Sequence, residues 1–332
     1  ICIDGTDDFA AMRPTHVFRL FRALERSDDQ VVYYDGGVGT LGDDRALTNL
    51  KRKVLRKLDA AAATTLHRGF EEAYRFLVRN YKEGDQIFVF GFSRGAYTAR
   101  ALAGVVKLIG ILHPSHENLI PFVWQVYSTF GEGEGSKEDS AFDMTDRLEA
   151  AFSQPAKIRF LGAWDTVSSV GLIKLRTLPF TSNLQSVERV MHAVSIDERR
   201  NMFPENLIQT VGKDGPKPEH LECWFAGVHR DVGGGGGEDA RGLSMFPFHW
   251  IVEGAEASGL KINPRKRKKM EEIAADACGK DNGNPLFVWV FAVLGLIPMK
   301  WWDQTKRKFA WKWLNFVHRR PIPAGGLRKQ PS

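Results

Sequence analysis

Gly91-Phe92-Ser93-Arg94-Gly95 places a serine between two glycines, the G-x-S-x-G spacing that presents a hydroxyl on a sharp strand-to-helix turn. Side chains at the two flanking positions would collide with the adjoining strand and helix, so such a turn selects glycine there. A serine hydroxyl is a weak nucleophile near neutral pH, and it needs a base that a third group orients. Two residues at later strand ends could complete that set. Asp165 closes the run Lys157 to Trp164, and His229 closes the run Leu221 to Val228. In these roles Ser93 would attack a carbonyl carbon, His229 would take its proton, and Asp165 would fix the imidazole tautomer. Asp197 and Asp231 are alternative acids. Asp231 stands two residues from His229 and reads better as a residue that orders the loop. An aspartate after a strand also serves as a turn cap, which leaves the choice of acid open at this point. The charge developing on the attacked oxygen needs donors already in place: the backbone N–H of Arg94, and a second from Gly5 or Thr6 after the first strand.

The elements that must position these residues are legible in the pattern. Gln86 to Phe90 is a short apolar run behind the turn Glu83-Gly84-Asp85 and reads as a buried strand. Ala96 to Ile111, rich in Ala and Leu and free of proline, reads as the helix that leaves the turn. Ile1 to Asp4 predicts the end of a buried strand, Thr15 to Leu24 a helix behind Pro14, and Val31 to Tyr34 another strand. From Asp59 to Tyr81, Leu66, Phe70, Ala73, Tyr74, Leu77, Val78 and Tyr81 recur at three- and four-residue steps, one face of a long helix. Strand and helix in alternation predict an α/β fold with a mostly parallel central sheet covered by helices on both faces, and the chain order Ser93, Asp165, His229 is the one in which α/β-hydrolases deliver their triad. Asp4, Asp35 and Ser93 then share the carboxyl edge of the sheet, where sites lie in such folds. The glycine turn Asp35 to Thr40 lacks the Lys-Ser/Thr ending of a phosphate loop and the spacing of a dinucleotide site.

Further along, the segment 113–154 predicts a loop insertion, with a polar glycine-rich stretch from Gly131 to Lys137. Ser186 to Arg199 predicts a helix with Val187, Val190, Met191 and Val194 on one face, and His192 reads as structural. Gly233 to Gly237 let a loop fold back close to the site and leave it mobile. Helix resumes after Gly242 as far as Ala257, and Asn263-Pro264 reads as the cap and first turn of another whose Arg265 to Lys269 run is solvated.

The chain has 332 residues, 43% of them hydrophobic, which is enough for a large core. We expect a catalytic domain over residues 1–260 and a helical, basic, tryptophan-rich extension over 261–332 packed on it. The formal charge of +6 gathers at Arg265 to Lys269 and from Lys300 to Arg320. Leu286 to Met299 carries no charge, is too short to span a bilayer, and is followed by Lys300, Trp301, Trp302, Trp311, Lys312 and Trp313. Tryptophan interleaved with lysine suits an interfacial helix, so Leu286 to Trp313 is a candidate for peripheral membrane contact; a buried cap helix with a basic flank is the alternative. No nucleic-acid partner is expected. Cys2, Cys223 and Cys278 form no paired motif, which points to a reducing compartment and a cytoplasmic location in the producing cell. The histidines show no metal-ligand spacing, so neither metal nor cofactor is expected.

Longer motifs carry a resemblance. Ile3-Asp4-Gly5-Thr6, the Tyr34 to Thr40 turn, Gly91 to Arg100, Gly162 to Val167 and Trp224 to Gly234 together resemble an uncharacterised α/β-hydrolase domain family that includes type VI secretion phospholipase effectors. The resemblance runs from residue 1 to about Gly242 and implies a serine lipase or phospholipase. It implies roles for Ser93, Asp165 and His229 as nucleophile, acid and base, and export as an effector. A soluble carboxylesterase for small acyl esters and a non-catalytic interaction module with the same fold are the competing readings.

Overall fold

The computed structural model describes residues 1–5, 14–37, 51–130, 136–167, 178, 180–184, 186–198, 207–208, 219–235, 241–275, 298–303 and 308–313. The chain begins with β1 (Cys2–Ile3), α1 (His16–Ala23), β2 (Tyr34–Asp35), α2 (Lys51–Asn80), β3 (Ile87–Phe92) and α3 (Arg94–Ile109). It continues with β4 (Ile111–Leu112), α4 (Ile120–Thr129), α5 (Ser136–Phe152), β5 (Ser153–Gln154), β6 (Ile158–Trp164), β7 (Val187–Ser195) and β8 (Glu219–Phe225). Then come α6 (His229–Gly233), α7 (Arg241–Ala257), α8 (Pro264–Ala275), β9 (Pro298–Asp303) and β10 (Lys308–Trp313).

Six strands form one sheet in the order β2-β1-β3-β6-β7-β8, and every neighbouring pair is parallel. The strands alternate their side chains between two cores, as the pleat requires. Ile87, Val89, Leu161 and Ala163 join α2, α3 and α4 on one face. Phe90, Phe92, Phe160 and Trp164 join α1 and α7 on the other. This is the predicted sheet with helices on both faces. From β1 the strand order runs one way to β2 and the other way through β3, so the crevice between β1 and β3 opens at their carboxyl ends.

Local sequence explains the elements that frame that crevice. Thr15 caps α1, its hydroxyl accepting the N–H of Phe18 at 3.1 Å. Most of the predicted face of α2 packs: Leu66, Phe70, Ala73, Tyr74, Leu77 and Val78 are buried, while Tyr81 lies just past the helix and is half-buried. Asn263 caps α8 by accepting the Lys266 N–H, and Arg265, Lys266, Lys268 and Lys269 are exposed.

Three expectations need correction. Ser186 to Arg199 is not a helix: Val187–Ser195 is a strand between β6 and β8, buried along most of its length. Its valines and methionine fit a parallel strand covered on both faces as well as they fit a helical stripe, and β-branching decides for the strand. The segment 113–154 is not a loop, because α4 and α5 occupy most of it, and Ile120, Val123 and Tyr127 of α4 enter the core of α2 and α3. The extension is not wholly helical. After α8, β9 and β10 pair antiparallel, with Trp302 opposite Phe309 and Lys300 opposite Trp311. A lysine-aromatic alternation, Lys308-Phe309-Ala310-Trp311-Lys312-Trp313, has the two-residue period of a strand. Residues 286–297 of the proposed interfacial segment lie outside the described residues.

Candidate active site

Ser93 stands between β3 and α3 with φ 55° and ψ −122°, a left-handed backbone that a non-glycine residue adopts only under constraint. Its neighbours make the constraint tolerable. A Cβ on Gly91 would come within 2.5 Å of the Ala96 Cα, and one on Gly95 within 2.5 Å of the Asp4 carbonyl oxygen, so both positions admit glycine alone. The Ser93 N–H donates to the Trp164 carbonyl at 3.0 Å, which ties the turn to the end of β6.

At that end Asp165 also has a positive φ, 37°. It is held from β7: its N–H donates to the Ala193 carbonyl at 2.7 Å, and its carboxylate accepts the Ser195 N–H at 2.8 Å and the Ser195 hydroxyl at 2.9 Å. His229 opens α6, one strand further on. Its Nδ1 lies 2.6 Å from Asp165 Oδ2 and its Nε2 lies 2.9 Å from Ser93 Oγ. A carboxylate only accepts, so Nδ1 carries the proton and Nε2 presents a lone pair to the serine hydroxyl. Such charge-assisted contacts, each about 1.5–3 kcal/mol, offset the burial of Asp165, which is 1% exposed. Phe92 packs its ring on the His229 imidazole at 4.6 Å between centroids. A Cβ on Gly233 would run into the Phe92 ring, so the first glycine of the run makes room for this wall. Gly234, with φ 81°, ends α6. Gly236 and Gly237 lie outside the described residues.

The other predicted residues have different places. Asp197 is exposed, and its carboxylate accepts the Gly227 N–H at 2.8 Å. Asp231 accepts the Val228 N–H at 2.9 Å and orders the turn before His229. Neither of these contacts is with the imidazole. Arg94 is the first residue of α3, at the end where the helix dipole favours negative charge. Gly5 directs its N–H to the Asp4 carboxylate at 2.9 Å, and that contact turns it away from the role of a second donor. Thr6 lies outside the described residues.

Two features escaped the sequence reading. The first is Thr15, whose hydroxyl donates to Asp4 Oδ2 at 2.5 Å beside the Tyr34 hydroxyl at 2.9 Å. Its backbone bridges Gly234, so it joins the loop after β1 to the turn after His229. The second is a pair on β7 and β8, buried His192 and half-buried Glu222, with 2.9 Å between Nδ1 and Oε2. No local motif announces either, because the partners lie 11 or more residues apart in the sequence.

Among the described residues no cluster of three or more His, Cys, Asp or Glu side chains could hold a metal ion. Nor is any described helix long and apolar enough to cross a membrane.

Residues 1–254 match the family described as type VI secretion system (T6SS) phospholipase effector Tle1-like, catalytic domain. The chain belongs to this family. The Tle1-like description is of a lipid-hydrolysing domain, and its span takes in Ser93, Asp165 and His229. An uncharacterized protein of Saccharomyces cerevisiae is 34% identical over 216 residues, 62% of this chain and 32% of the yeast protein. Among solved structures, an uncharacterized protein from Pseudomonas aeruginosa matches 82% of this chain and 48% of its own, at 20% identity and TM-score 0.45. A Tle1 effector solved bound to the VgrG spike matches 67% of this chain and 40% of its own, at 20% identity and TM-score 0.31. The Tle1-like chain thus spans from about a third to about half of these relatives.

Proposed function

We propose that this chain is a serine hydrolase that cleaves carboxylic ester bonds of glycerophospholipids through an acyl-enzyme. The observation that carries the reading is the hydrogen-bonded series Ser93 Oγ, His229 Nε2, His229 Nδ1 and Asp165 Oδ2, at 2.9 and 2.6 Å. His229 takes the Ser93 proton as the hydroxyl oxygen attacks the ester carbonyl, and Asp165 stabilises the imidazolium that results. The imidazolium returns the proton to the departing alcohol. Water, activated by the same histidine, then releases the fatty acid and restores the serine. The oxyanion is assigned to the Arg94 N–H at the start of α3 and to a donor of the loop after β1, for which Thr6 is the remaining candidate. Each such donor lowers the barrier by about 3 kcal/mol.

Family membership supports a lipid as substrate. The tryptophan and lysine content of Lys300 to Trp313 supports contact with an anionic membrane surface, now through a hairpin and not a helix.

Fatty-acid release from anionic phospholipid vesicles, run beside a soluble short-chain ester, tests both parts. We expect release from vesicles, and its loss by roughly 10⁶-fold in folded Ser93→Ala protein. Turnover of the soluble ester alone would make the protein a carboxylesterase. Turnover that survives Ser93→Ala would remove the serine from the mechanism, and silence on both substrates would favour the non-catalytic module.

A further inference from the structure

Behind the Asp165 turn lies a second acid–histidine pair that touches neither Ser93 nor His229 in any contact described above. His192 is fully buried on β7, and its Nε2 is 3.2 Å from the backbone nitrogen of Thr166, the residue after Asp165. A backbone N–H can only donate, so Nε2 must be the acceptor and the ring proton must sit on Nδ1. From Nδ1 it is donated to Glu222 Oε2 at 2.9 Å, the oxygen that also accepts the Ile208 N–H at 3.0 Å. Glu222 therefore selects the His192 tautomer, and that tautomer holds the Thr166 N–H. Arg100, fully buried on α3, donates to the Thr181 carbonyl at 3.3 Å and lies close enough to Glu222 for the two charges to favour one another.

The backbone this pair supports is the strained one. Asp165 has a positive φ, which is strained and persists only where surrounding contacts over-determine it. Ser195 and Ala193 fix Asp165 from one side. His192 fixes the next peptide, which sets the direction from which the carboxylate meets His229.

We propose that His192, set by Glu222, is a positioning residue that aims the Asp165 carboxylate at His229 through the Thr166 N–H. The inference rests on the hydrolase reading for its kinetic consequence, but the geometry it asserts does not. Burial first, and then the Arg100 charge, hold the His192 imidazole below the usual histidine range, against the opposing pull of Glu222 and Asp165. That keeps Nε2 unprotonated near neutral pH.

The test uses His192→Asn and His192→Gln in the full chain. Asparagine reaches only the Nδ1 position, keeping a donor for Glu222 and losing the acceptor for Thr166. Glutamine reaches the Nε2 position and restores that acceptor. Two readouts are followed: fatty-acid release, and the downfield NMR resonance of the His229 Nδ1 proton. We expect the asparagine variant to lose roughly 10- to 100-fold in kcat with KM within about twofold, and its His229 resonance to move or broaden. The glutamine variant should resemble the parent in both. An unchanged resonance in the asparagine variant, or equal losses in the two variants, overturns the proposal. If the parent shows the resonance yet turns over no ester, the hydrolase reading fails while the resonance alone still judges the positioning role. Should neither variant fold, hydrogen exchange at the Thr166 amide of the parent decides, with strong protection expected and exchange at the rate of open chain counting against it.

Discussion

Ser93 and Asp165 are two of the three non-glycine residues with positive φ among the described residues, and the protein supports them in opposite ways. At Ser93 the remedy is the removal of matter. Gly91 and Gly95 leave out the side chains that would strike Ala96 and Asp4, and nearly all of the arrangement is written within five consecutive residues. At Asp165 the remedy is the addition of bonds from a neighbouring strand: Ser195 gives two to the carboxylate, the Ala193 carbonyl takes the N–H, and His192 holds the following peptide. Strain relieved by absence leaves a local motif. Strain relieved by distant partners leaves none.

The comparison can be broken at several points. The largest effect is expected at Asp165 itself, where Asp165→Asn should cost about 10⁴-fold in kcat through loss of the correct tautomer. Asp197→Asn should stay within about threefold, and a larger loss there would reassign the acid. Gly95→Ala tests support by absence. The added methyl meets the backbone at Asp4, so we expect about 3 kcal/mol of destabilisation in urea unfolding, with activity lost even in the folded fraction. A stable, active Gly95→Ala protein would show that the elbow has room to spare. Ser195→Ala tests support by addition. It removes one of the hydrogen bonds to a buried carboxylate, for about 1–2 kcal/mol and roughly tenfold in kcat. No change in either would leave Asp165 held by its backbone contacts alone.

The smallest effect is an acid slope in stability. Burial holds both His16 and His192 below the ordinary histidine value of 6.5, so both fold as neutral rings. Above that value neither state takes a proton there, and these groups leave stability flat. As the pH falls below it, the unfolded chain binds protons that the folded chain refuses, and stability declines by up to about 1.4 kcal/mol per pH unit for each histidine. Urea midpoints at about pH 7, 6 and 5 measure this, and a level profile would mean that the rings charge freely in the fold.

The same contrast explains what the sequence makes legible. The parallel sheet, the serine turn and the residues Ser93, Asp165 and His229 follow from strand-like runs, glycine spacing and chain order, and the structure brings those three together. What fails does so where one pattern serves two structures. Val187, Val190, Met191 and Val194 satisfy a helical stripe and a doubly covered strand alike, and a neighbour on each side settles it for the strand. Lys300 to Trp313 has the composition of an interfacial helix but the alternation of a hairpin. Gly5 sits where a donor loop should be, but the Asp4 carboxylate, one residue away, captures its N–H. Thr15 reads locally as a helix start, but its bridge from Asp4 to Gly234, like the pairing of His192 with Glu222, is made only in the tertiary fold.

Thr15 has a wider consequence. It caps α1, holds Asp4 after β1, and bridges Gly234 at the end of α6. The end of β1 and the end of α6 are therefore riveted at one point. A substitution at Thr15 that frees one of them also slackens the other.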